Sequence, residues 1–278
     1  MVKPQRAHLA DGAPGESVGA PSRAGIVVKS PDEIAIMKEA GRRLAASLAI
    51  LAEQVRPGPA TGELERVVSR EFRRRDLVPS FKGYRGFPAS LCVSVNEEVV
   101  HGIPGKRVLQ QGDVVSLDLG AIYNGFQADA AVTIGVGQIT RRAQDLIEVT
   151  RKALQAGIEA AVVGARVGDI SWAVQSFVES KGYSVVREYA GHGIGREMHE
   201  EPQVPNFGLP GRGTLLQEGM VIAIEPMVNA GGWRTRTLED GWTVVTLDGS
   251  LSAHFEHTVA IRAGGPEVLT SLDGLDIV

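Results

Sequence analysis

The sequence predicts an α+β fold built from two related halves that share one curved sheet. Three observations carry this expectation. Helix signals come in pairs, each pair is followed by a run of strand signals, and the whole order occurs twice. Gly58, Gly62, Glu63 and Leu64 also match Gly164, Gly168, Asp169 and Ile170 at a constant offset of 106 (164 − 58). One such match is chance, whereas four in register mark a duplicated unit.

Residues 1–26 are rich in Pro, Gly, Ala and Ser, too poor in apolar surface to offset ordering, and read as a disordered tail before one catalytic domain over 27–278. The first helix opens at Ser30-Pro31-Asp32-Glu33. Ser30 stands as N-cap, Pro31 at the first helical position, and Glu33 closes a capping box. Ile34, Met37, Leu44, Leu48 and Leu51 form its apolar face, and Arg56-Pro57-Gly58 stops the chain from continuing. A second helix runs from Thr61, with Leu64, Val67, Val68 and Phe72 buried. Strands follow at Leu91 to Val95, Val114 to Leu119 and Gln127 to Ile134.

In the second half Thr140 caps a long helix, and Gly164 precedes another that starts at Asp169. Strands are then expected at Met220 to Ile224, Trp242 to Leu247 and His254 to Ile261.

The net charge of −4 argues against a broad nucleic-acid surface, and Arg73-Arg74-Arg75 reads as a solvated helix end. The one cysteine, Cys92, cannot form a disulfide within the chain, which suits a reducing compartment. No apolar run approaches the roughly 20 residues that span a bilayer, so the chain reads as cytoplasmic and free of the membrane.

The carboxylates carry the chemistry. Asn124-Gly125 between two apolar runs is a hairpin signal, because both turn positions need positive φ. A two-residue turn pairs Tyr123 with Phe126 and Gly120 with Asp129, which puts Asp118 and Asp129 on one face, roughly 7–8 Å apart at Cα. Two such acids repel unless a cation lies between them. The second half repeats the pattern: Gly112 precedes Asp118 by six positions as Gly219 precedes Glu225, and the surroundings of Asp129 resemble those of Glu256. Four carboxylates thus meet at the centre.

His192 lies between glycines in Gly191-His192-Gly193-Ile194-Gly195 and is expected as an accessible imidazole in a loop. One imidazole with four carboxylates suits Mn, Fe, Co or Zn and disfavours Ca or Mg. His101 and His199 are candidates for substrate contact or oxyanion roles. His254 and His257 flank Glu256, and either could orient that carboxylate or simply pack.

Several segments together carry a resemblance: Ser94-Val95-Asn96-Glu97 through His101-Gly102-Ile103-Pro104, Gly191 to Gly195, His199-Glu200-Glu201-Pro202, Ile224-Glu225-Pro226-Met227 and Phe255-Glu256-His257-Thr258. From about Val27 to the end the chain resembles type I methionine aminopeptidases. The resemblance implies a pita-bread (creatinase/aminopeptidase) fold, in which two pseudo-twofold halves share a curved antiparallel sheet. It implies two divalent ions, bridged by Asp129 and Glu256, with Asp118 completing one and His192 and Glu225 the other. It implies that His199 steadies the carbonyl oxygen, His101 lies near the scissile nitrogen, and Glu225 shuttles a proton. By position, Phe81, Tyr84, Phe87, Cys92, Met198 and Trp242 would line the methionine pocket. Met198 stands where the family would have an aromatic, and Phe81 and Val100 where cysteine is common.

A monovalent cation near Asn96 and Ser252 is a further expectation. The substrates implied are peptides and nascent chains with an N-terminal methionine and a small second residue. The ribosome is a possible partner, DNA is not, and a monomer is expected. The rivals are an Xaa-Pro peptidase of the same fold and a binding protein that has lost catalysis.

Overall fold

A computed structural model describes residues 25–271, so most of the expected N-terminal tail lies outside the described residues. Helix α1 spans Pro31–Ala52 and is capped as its sequence demands. The Ser30 hydroxyl accepts from the Glu33 N–H, and the Glu33 carboxylate accepts from the Ser30 N–H. Helix α2 spans Thr61–Arg74, α3 Arg141–Ala160 with Thr140 as N-cap, and α4 Val167–Ser180. The last begins two residues earlier than expected, because Asp169 acts at N3. Its carboxylate accepts from the Arg166 N–H and so fixes the first turn from inside. Arg75, read as solvated, instead folds back on the buried Glu71.

Nine strands form the main sheet. They are β1 (Val78–Pro79), β2 (Cys92–Val95), β3 (Val114–Tyr123), β4 (Phe126–Gly135), β5 (Ala190–Gly193), β6 (Glu200–Pro205), β7 (Val221–Ile224), β8 (Glu256–Ala260) and β9 (Glu267–Val268). Every pairing is antiparallel, in the order β1-β3-β4-β8-β7-β5-β6, with β2 also on β3 and β9 also on β8. The centre of this order is symmetric. The hairpin β3–β4 of the first half meets the pair β8–β7 of the second, and the seam runs between β4 and β8. Two smaller three-stranded sheets hold Ser184–Val185, Met227–Asn229 and Ser252–His254, and Glu98–Val100, Thr235–Thr237 and Val244–Thr246.

The duplication is written in hydrogen bonds as well as in sequence. Gly58, Thr61 and Gly62 donate to the carbonyls of Leu109, Arg107 and Gly105. Gly164, Val167 and Gly168 donate to those of Leu216, Thr214 and Arg212. Gly58 and Gly164 both hold positive φ, at 114° and 89°, where a side chain is strained.

Strand alternation separates core from site. Leu117, Leu119 and Ala121 on β3, Ala128, Ala130 and Val132 on β4, Ile222 and Ile224 on β7 and Val259 on β8 share one core. That core also holds Leu44, Leu48 and Leu51 of α1, and Leu154 and Ile158 of α3. Each such side chain contributes about 1.5–3 kcal/mol by leaving water. Asp118, Asp129 and Glu256 occupy the alternate positions, and Glu225 follows Ile224, so all four acids fall on the face away from the helices.

Candidate metal centre and active site

The hairpin forms in the expected register, with Tyr123 paired to Phe126 and Gly120 to Asp129. Asn124 and Gly125 take φ of 48° and 77°. Across the seam Glu256 pairs with Ala131. Two threonine hydroxyls pin that seam. Thr258 Oγ1 accepts from the Asp129 N–H and donates to its carbonyl. Thr133 Oγ1 does the same for the N–H and carbonyl of His254. The backbones under the acids are therefore tied from both halves.

The side chains converge. Asp129, His192 and Glu256 bring one ligand atom each within 4.8 Å of one another, as do Glu225, His254 and Glu256. His192 Nε2 lies 3.6 Å from Glu225 Oε1. Burial drives the carboxyl pKa values upward. Asp118 is pushed to about 7, chiefly by desolvation. Asp129, Glu225 and Glu256 also rise well above the usual range, by desolvation first and by mutual repulsion second. Burial pushes the His192 imidazole down to about 4, so it is neutral near pH 7 and able to bind a cation.

The donor set fits divalent ions. Asp118 Oδ1, Asp129 Oδ1, Glu256 Oε1 and His254 Nε2 are buried without a hydrogen-bond partner. Four orphaned polar atoms in one cluster are costly unless something positive satisfies them. Bound cations invert the carboxyl pKa logic and hold all the acids ionised.

His192 corrects the expectation of an accessible loop imidazole. It sits in strand β5 and is 6% exposed. Its Nδ1 is 2.9 Å from the Gly193 carbonyl, which leaves Nε2 facing the acids. The glycines around it serve close strand packing: a Cβ at Gly191 would meet the carbonyls of Ala223 and Val204.

At the mouth of the cluster, His199 is exposed, its ring centroid 4.2 Å from that of His192. Tyr84 stacks on it at 5.4 Å, with the Tyr84 hydroxyl 2.8 Å from Nδ1. Desolvation by the cleft walls, with His192 and Arg85 adding repulsion, lowers its pKa. His101 adopts φ of 61°, which turns its ring edge-on to Trp242 at 6.4 Å and to Tyr189 at 5.7 Å. Its pKa is pushed down to about 4 by burial.

The expected pocket residues divide into two groups. Phe87 and Cys92 form a small apolar cluster with Phe81, Trp242 and Ile103. Phe81 and Trp242 are edge-on to Phe87 at 6.5 and 5.1 Å. Met198 belongs to a neighbouring cluster with Ile34, Met37 and Phe126, against which Phe81 and Tyr84 also pack. Sequence reasoning missed Gly120. A Cβ there would lie 2.6 Å from both Met198 Cε and Phe81 Cε1. Its position opposite Asp129 was the available signal. Sequence reasoning left His254 and His257 equivalent, and the structure separates them: His257 Nδ1 meets Thr270 Oγ1 at 2.8 Å, whereas His254 Nε2 faces the carboxylates.

Asn96 and Ser252 are brought together, since the Ser252 N–H donates to the Asn96 carbonyl. Asn96 Oδ1 already accepts from Val114 N–H, and Ser252 Oγ lies 2.9 Å from Asn229 Oδ1.

A pseudo-twofold antiparallel sheet with buried acids and an imidazole at its seam defines a metallohydrolase of the pita-bread class. Metallopeptidase family M24 matches residues 35–263, and the chain belongs to it. A methionine aminopeptidase of Clostridium perfringens is 55% identical over 245 residues, 88% of this chain and 98% of that protein. A crystal structure of methionine aminopeptidase from Thermotoga maritima superposes with a TM-score of 0.88 at 48% identity, covering 89% of this chain and 100% of that one. The prolidase of Pyrococcus furiosus shares the fold, with a TM-score of 0.73 at 24% identity over 88% of this chain and 65% of its own. Among the described residues, no helix is long and apolar enough to cross a membrane.

Proposed function

We propose that this chain removes the N-terminal methionine from peptides and nascent proteins whose second residue is small, as a cytoplasmic monomer. Its similarity to the methionine aminopeptidases supports the substrate class. The observation that carries the chemistry is the cluster of buried, unpartnered oxygens on Asp118, Asp129 and Glu256 beside His192 and Glu225.

In this reading Asp129 and Glu256 are shared between two divalent ions, Asp118 serves one of them, and His192 and Glu225 the other. Ions held there lower the pKa of water toward neutrality and polarise a carbonyl. The protein does the rest. Tyr84 donates its hydroxyl proton to His199 Nδ1, which sets the tautomer with the proton on Nε2. A neutral ring with that proton can donate to the carbonyl oxygen as negative charge develops. His101, neutral at the inner wall, contacts the scissile nitrogen. Glu225 takes up the proton of the attacking water and passes it to the leaving amine. Phe81, Phe87, Cys92 and Trp242 supply an apolar, polarizable lining suited to a thioether.

The test is hydrolysis of Met-Ala-Ser by metal-free protein reconstituted with Mn, Fe, Co or Zn in turn, beside a proline-containing peptide. Release of methionine from Met-Ala-Ser is expected with at least one ion. Preferential cleavage before proline would overturn the reading in favour of an Xaa-Pro peptidase. Deleting residues 1–24 and comparing free peptide with ribosome-bound chains tests any ribosome contact separately.

A further inference from the structure

We infer that His254 is a second nitrogen ligand of the metal centre, completing a Glu225–His254–Glu256 triad beside the Asp129–His192–Glu256 triad. The inference rests on the metal-centre reading above and extends its ligand set.

Position is the first argument. His254 ends the short strand Ser252–His254, two residues before Glu256, and its backbone is held by Thr133 Oγ1 on β4. It is 2% exposed, as is Glu256, so water does not compete freely for its ring.

The distances are the second. Nε2 lies 3.9 Å from Glu225 Oε2 and 3.9 Å from Glu256 Oε2. Both are beyond hydrogen-bond reach. Nε2 nonetheless has no other partner. Nitrogen and oxygen ligands stand about 2.0–2.2 Å from an ion such as zinc. Donors facing each other across such an ion are therefore up to about 4 Å apart. The gap between His254 and the two acids fits an ion held among them better than direct contact.

Chemistry is the third argument. The two triads share Glu256, and each contains one imidazole. Burial pushes the His254 pKa down to about 3, which keeps a lone pair available near pH 7. A nitrogen in both triads biases the pair toward the later divalent metals, for which imidazole is a preferred donor.

The experiment is cobalt loading of the metal-free full chain and of His254→Gln, read by calorimetry and by proton NMR of the two-ion form. Expected in wild type are two solvent-exchangeable imidazole N–H signals, both shifted by the paramagnetic ions. In His254→Gln one shifted signal remains, and affinity for one of the two ions falls by about tenfold or more. A single shifted signal in fully loaded wild type overturns the inference, and needs no variant to fold. Wild-type affinity for both ions in His254→Gln overturns it too. If wild type binds no cobalt at all, the metal-centre reading fails along with the inference. Two bound ions with one shifted signal sink the inference alone.

Discussion

Gly120 stands directly opposite Asp129 across the β3–β4 hairpin, and Met198 and Phe81 fill the space where its side chain would be. The same cross-strand pair thus presents an acid to the metal centre and a gap to the pocket wall. Gly120→Ala must push Met198 Cε and Phe81 Cε1 outward from 2.6 Å. Overpacking of this kind costs about 1–3 kcal/mol. We predict a lowered unfolding midpoint, and a KM for Met-Ala-Ser that rises more than kcat falls. An unchanged KM would show that the displaced side chains do not shape the pocket.

Asp129→Asn tests the shared ligand. The amide is nearly the same size, and the Asp129 backbone remains tied by Thr258 Oγ1. The fold should survive, while the site loses a carboxylate from its Asp129–His192–Glu256 triad. We expect turnover to vanish with an unchanged circular dichroism spectrum. Full activity of the variant in purified metal would exclude the two-metal mechanism.

The pair Asp118 and Asp129 also shows how much of this site could be read beforehand. Their shared face followed from one dipeptide, Asn124-Gly125, because a two-residue turn leaves no freedom of register. Glu225 and Glu256 followed from the internal repeat. What stayed illegible was set by contacts distant in sequence. His192 looked like a loop residue, since its glycines give no strand signal, yet those glycines are what let β5 pack beside β7 and β6. His254 and His257 were equivalent in sequence until Thr270 claimed one of them. The short strands at 98–100, 184–185 and 235–237 carry too few residues to show a period.

Metal removal should reverse the pH dependence of stability above neutrality. In the metal-free protein the Asp118 pKa is raised to about 7, and Asp129, Glu225 and Glu256 are raised as well. A raised folded pKa gives stability that is complete below the unfolded value, near 4, and is lost as pH rises through the folded value. The depressed histidines act oppositely, and their contribution is complete above about 6.5. From pH 6.5 to 8 only the carboxylates still act. The metal-free melting temperature should therefore fall over that range, and saturating Mn or Co should abolish the fall. A flat metal-free profile in scanning calorimetry would contradict the buried-acid picture.

The Tyr84 hydroxyl, 2.8 Å from His199 Nδ1, offers a test of tautomer control that leaves the metal ligands alone. Tyr84→Phe keeps the stacked ring at 5.4 Å but removes the donor that holds the His199 proton on Nε2. A neutral hydrogen bond contributes about 1 kcal/mol, which is about fivefold in rate if it acts in the transition state. We predict a fall of that size in kcat, with little change in KM, because an oxyanion contact strengthens only as charge develops. His199→Ala should lose more, and adding Tyr84→Phe to it should cost little further, since the hydroxyl acts through the ring. Equal and additive losses in the double variant would mean that Tyr84 touches the substrate itself.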